Sequence, residues 1–149
     1  MVSTLLASVV AAAGHVAETS SRNEKVSALA SLLADVDAIE APTVVGLLTG
    51  EIRQGKIGVG WAAIRDLEVM PAAETSLSVA DVDRAMDEVA AISGSGSKAL
   101  RTKRLGELMS AATDAEAVFL ASVLTGQLRQ GALDGVMATA IAKLSLIHI

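Results

Sequence analysis

The chain has 149 residues, 52% of them apolar, yet its only aromatic residues are Trp61 and Phe119. A chain of this length buries roughly 70% of its unfolded surface, so one core of Leu, Val, Ile, Ala and Met is expected, and such a composition favours helix over sheet. The lack of cysteine excludes disulfides and thiolate zinc sites, no apolar run approaches the ~20 residues that span a bilayer, and a formal charge of -5 counts against nucleic-acid binding unless the Lys and Arg residues cluster.

The spacing of Leu5, Leu6, Val9, Val10, Ala13 and Val16 predicts a first helix from about Ser3 to Val16. Leu5 to Ala13 also has the look of a secretory apolar region. No Lys or Arg precedes it, however, and we take it as one face of a helix in a cytoplasmic protein. Ser21-Arg22-Asn23-Glu24 predicts a capping box and a second helix that buries Val26, Leu29, Leu32, Leu33 and Val36. Pro42 suits the first turn of a third helix, and Gly50 its C-terminal cap. A glycine-rich loop from Gly55 to Gly60 leads to a short fourth helix, about Val59 to Leu67.

Pro71 to Leu77 reads as a linker. Ser78 opens a fifth helix with Val79, Val82, Met86, Val89 and Ile92 inward. After the flexible Ser93–Ser97 loop a basic sixth helix is expected from Lys98 to about Ala111. Thr113-Asp114-Ala115-Glu116 is a second capping box and starts the seventh, capped by Gly126. The eighth covers about Asp134 to Leu144. The expected fold class is therefore all-α.

The two halves resemble each other at an offset of 76 residues, Ser21 falling on Ser97. The strongest block sets Leu48-Thr49-Gly50-Glu51-Ile52-Arg53-Gln54-Gly55 on Leu124-Thr125-Gly126-Gln127-Leu128-Arg129-Gln130-Gly131. Leucines match by chance in apolar helices; Thr, Gly, Arg, Gln and Gly in fixed order do not match so easily. We read about eight helices in two pseudo-repeated helix–helix–loop halves.

A helix that ends at Gly and runs into Arg-Gln-Gly can offer backbone N–H groups and a planar guanidinium to phosphate oxygens, and Gln can bond phosphate, sugar or base edges. The plainer reading is that Gly50 and Gly126 only cap helices while Arg53 and Arg129 are solvated or paired with nearby acids. Ser93 to Lys98 resembles an anion site at a helix N-terminus, with Arg101, Lys103 and Arg104 extending its positive field, or else a flexible loop before a solvated face. No catalytic constellation is present: His15 and His148 have no evident partners, and Asp35/Asp37 and Asp81/Asp83 read as caps and solvated faces rather than metal ligands. Trp61 is expected to anchor the core rather than to stack on bases.

Taken together, four stretches resemble the N-terminal DNA-binding domain of bacterial ATP-dependent DNA ligases: Val16 to Lys25, Ile57 to Ala62, Ile92 to Ser97 and Phe119 to Met137. The resemblance covers residues 1–143 and leaves 144–149 as a truncated or non-native tail. It implies a monomeric, all-helical module that grips nicked duplex DNA through the minor groove and phosphate backbone without sequence preference, in replication, repair or recombination. One contact would come from Arg53, Gln54, Gly55, Lys56, Gly58 and Gly60, a second from Arg129, Gln130, Gly131 and Gly135, and a third from Gly94, Gly96, Ser97 and Lys98.

The family's chemistry needs ATP, Mg and an adenylated lysine in a Lys-x-Asp-Gly motif within a following domain. Here Ala132-Leu133-Asp134-Gly135 has Ala where that Lys is required. The chain is thus expected to hold no cofactor, to be inactive alone, and to partner the catalytic domains of a longer polypeptide. The alternative is a helical protein–protein interaction module.

Overall fold

A computed structural model describes residues 3–55, 57, 59–127 and 131–147. Among these residues eight helices follow in chain order: α1 Leu6–Glu18, α2 Arg22–Ala34, α3 Ala41–Thr49, α4 Trp61–Arg65, α5 Val79–Ala91, α6 Ser97–Ala111, α7 Asp114–Leu124 and α8 Gly131–Ile147. No strand occurs among the described residues; the one β-type contact is an isolated bridge between Leu5 and Ser78. The all-α expectation holds. No helix among the described residues is long and apolar enough to cross a membrane.

Local chemistry explains the helix starts. Ser78 and Asp81 form a complete capping box at α5, and Thr113 and Glu116 form another at α7, each pair satisfying two otherwise free N–H groups. The Ser78 backbone N–H and hydroxyl hold the Asp81 carboxyl below its ordinary range. At α2 only half of the expected box exists. Ser21 accepts from the Glu24 N–H (3.3 Å), while the Glu24 carboxylate takes a bond from the Thr19 hydroxyl instead.

The helices pack through their aliphatic stripes. α2 lies chiefly between α1 and α8, α5 pairs with α6, and α3 touches α1, α5 and α8. Leu6, Leu29, Leu47, Leu48 and Leu120 are fully buried in the main cluster, each worth roughly 1.5–3 kcal/mol by removal from water. A second, smaller cluster of Ile57, Val89 and Leu105, backed by Ile52, Val59, Leu67 and Leu124, seats the glycine-rich loop on α5, α6 and α7.

Three expectations change. Trp61 is not a core anchor: it is 49% exposed at the start of α4, a helix of five residues with no buried side chain. Pro71 to Leu77 is not a free linker. Leu77 is buried, its carbonyl accepts from the Leu6 N–H (2.9 Å), and the Val79 N–H donates to the Thr4 carbonyl (2.7 Å). Finally, α8 begins at Gly131, ahead of Asp134, and ends at Ile147, beyond Leu144.

Candidate nucleic-acid interface

The site is built on two helix ends. In α3 the Thr49 hydroxyl donates back to the Val45 carbonyl (2.9 Å), and Gly50 follows in the left-handed region with φ 78°. In α7 the Thr125 hydroxyl donates to the Ala121 carbonyl (2.7 Å), and Gly126 follows with φ 80°. A side chain at either glycine would be strained, which accounts for glycine at both places. The likeness reaches as far as these turns. The helices leading into them differ, because α3 starts without a side-chain cap and α7 with a full box.

The chain after α3 and the end of α7 border one cleft of about 470 Å³. Gly50, Gly55 and Gly60 line it from the first turn, and Thr125 and Gly126 from the second. Ile52, Ile57 and Val59 also line it and continue into the small apolar cluster below. The glycines leave main chain, rather than side chain, at the rim.

Gly46 makes the first turn possible. A Cβ there would sit 2.9 Å from the Glu51 carbonyl oxygen and 3.2 Å from the Ile52 Cα, so the chain leaving α3 folds back against a helix face that must be bare. Gly55 closes the turn: its N–H donates to the Ile52 carbonyl (2.9 Å), and its φ is 71°.

Arg53 and Gln54, expected to face phosphate, are turned towards α5. Arg53 Nη2 donates to Asp83 Oδ2 (2.9 Å) and Asp87 Oδ2 (2.7 Å). Gln54 Nε2 donates to Asp83 Oδ1 (2.8 Å), Asp87 Oδ1 (2.9 Å) and the Asp83 carbonyl (3.2 Å). The Gln54 amide and the Arg53 guanidinium hold the Asp87 carboxyl below its ordinary range, and Asp83 and then Asp87 raise the Arg53 pKa further still. Among the described residues, the cleft walls include neither Arg53 nor Gln54.

Sequence reasoning missed Gly46, Asp83 and Asp87. The signal for the acids was slight: they stand four residues apart, one turn of a helix, on the same face as each other.

The remaining expected contacts divide. Gly94 and Gly96 have φ 88° and 78°, α6 starts at Ser97, and no side chain caps that start. Lys98 is exposed and has no ion pair among the described residues. The positive field beyond it is smaller than expected. Arg101 donates to the Ile92 carbonyl (3.2 Å) at the end of α5, and Arg104 pairs with Glu88. Gly131 and Gly135 lie within α8. Lys56, Gly58, Arg129 and Gln130 lie outside the described residues. No group of three or more potential ligands is placed to hold a metal among the described residues.

A second, largely apolar groove of about 930 Å³ adjoins the same turn: Leu33, Val36, Pro42 and Val45 line it together with Ile141 and Leu144 of α8, and Glu51 and Arg53 reach its edge.

Comparison with known proteins gives a consistent result. The family model described as DNA ligase N terminus matches residues 62–142. A probable DNA ligase of Streptomyces avermitilis is 45% identical over 139 residues, and one of Mycolicibacterium gilvum is 48% identical over 139 residues. Each alignment covers 93% of this chain but 27% of the relative. A probable DNA ligase of Nocardia farcinica is 48% identical over 138 residues, 93% of this chain and 26% of that protein. The chain thus spans about a quarter of the length of these relatives.

Proposed function

The chain belongs to the DNA ligase N-terminus family, and from that premise we propose that it is the non-catalytic module with which a nick-sealing, ATP-dependent ligase holds its duplex. The observation that carries the proposal is that two glycine turns line one cleft. Two strands of main chain, bare of side chains at Gly50, Gly55, Gly60 and Gly126, can approach a sugar–phosphate backbone closely. Lys56 and Gly58 would complete the first grip, and Arg129, Gln130, Gly131 and Gly135 the second. Gly94, Gly96, Ser97 and Lys98, at the uncapped start of α6, would supply a third. Contacts of this kind read backbone rather than bases, so binding is sequence-independent and weakens steeply with salt. ATP, Mg and the adenylated lysine belong to the remainder of the longer polypeptide.

Titration of a fluorescent nicked duplex with the full chain tests this. Binding at low salt that falls with a steep log–log salt slope is expected. Binding no tighter than that of an equally acidic control protein refutes it.

The apolar groove beside α8 favours a second reading, a helical protein–protein interaction module. Ile141→Asp, at an exposed position on the groove wall, would disrupt such a contact while leaving duplex binding intact.

A further inference from the structure

We propose that Asp83 and Asp87 are positioning residues, which act through Arg53 and Gln54 to hold the first turn so that Gly50 and Gly55 stay in the cleft that Gly126 also lines. The proposal rests on the reading of the cleft as a backbone-binding site and deepens it. Both acids project from one face of α5, one helical turn apart. Each accepts from both Arg53 and Gln54, at 2.7–2.9 Å, and Gln54 also reaches the Asp83 main chain at 3.2 Å. The next residue, Gly55, closes the turn and lines the cleft, whereas Arg53 and Gln54 do not.

The apolar seat cannot do this alone. It engages the loop at Ile52 and Ile57, and between them Arg53 and Gln54 are held by polar contacts. A single exposed ion pair is worth at most about 1 kcal/mol. Here two carboxylates, a guanidinium and an amide form one network, which fixes a direction as well as a distance. The balance of charge is also telling. Two aspartates against one arginine leave a net negative charge beside a surface proposed to meet a polyanion. By charge alone this pair opposes binding; its contribution must lie in geometry.

That opposition sets the sign of the test. Asp83→Ala with Asp87→Ala removes two negative charges, which by electrostatics alone tightens nicked-duplex binding. The positioning role predicts the reverse, a loss of about three- to tenfold. Unchanged or tighter binding overturns it.

Arg53→Ala provides the second arm. Weaker binding with the salt slope unchanged is expected; a slope flatter by about 0.9 means that Arg53 itself neutralises a phosphate, and overturns the proposal. If the unaltered chain binds no duplex, the functional reading fails, and the free protein still decides the positioning role. The Gly50 and Gly55 amide resonances must shift, and the Gly55 amide must exchange faster, in the double variant. Unmoved amides overturn it.

Discussion

The turn after α3 and the turn after α7 share Thr, Gly, Arg, Gln and Gly in one order, yet the helices that lead into them differ where the first turn folds back. Both helices end in a threonine bonded back to the preceding turn and a glycine at φ near 80°. Below the first turn, Gly46 admits the returning chain, Ile52 and Ile57 seat it, and Arg53 and Gln54 bind it to α5. The residue that corresponds to Gly46 in the second half is Ser122, whose hydroxyl merely donates to the Val118 carbonyl (3.1 Å) within its own helix. At this position the first helix leaves room for a returning chain and the second carries a side chain. What a side chain contributes depends on what the fold brings opposite it.

The largest break in this comparison is expected at that position. Gly46→Ala forces a Cβ against the Glu51 carbonyl and costs about 1–3 kcal/mol in chemical denaturation. Ser122→Ala stays within about 0.5 kcal/mol. Equal effects would mean that the first turn does not depend on close approach.

Next come the two caps. Gly50→Ala and Gly126→Ala each impose a side chain on a left-handed residue and cost about 1 kcal/mol. A clear inequality between them in thermal unfolding would show that the likeness of the turns is only apparent.

The smallest effect is on pH. Asp81 and Asp87 both have folded pKa values below their ordinary range. Their contribution is present above the unfolded aspartate pKa, about 3.9, and is lost as pH falls through the lower folded value. The melting temperature is accordingly flat from neutral pH down to about pH 5 in this respect, with the acid-induced fall smaller in an Asp81→Asn variant.

Much of the fold could be read from the residues, because caps and helical stripes are local. Ser78, Thr113 and Gly50 act within four residues of themselves, and Leu29 or Leu47 declares its face by spacing. The site was less legible. Arg53 and Gln54 find partners some 30 residues away on a helix surface where Asp83 and Asp87 look like ordinary solvated acids. Trp61 was misjudged because size and apolarity normally mean burial, whereas α4 is too short to carry it inward. Leu77 reads as the end of a linker because its surroundings have that composition, and only the pairing with residues 4–6 reveals its place.

The central claim is that the two turns act on one ligand. Titrating nicked duplex into the 15N-labelled chain and following its glycine amides tests this most directly. Gly50, Gly55, Gly60 and Gly126 are expected to shift together, along one binding curve. Shifts confined to one turn, or to residues of the apolar groove beside α8, would contradict the account.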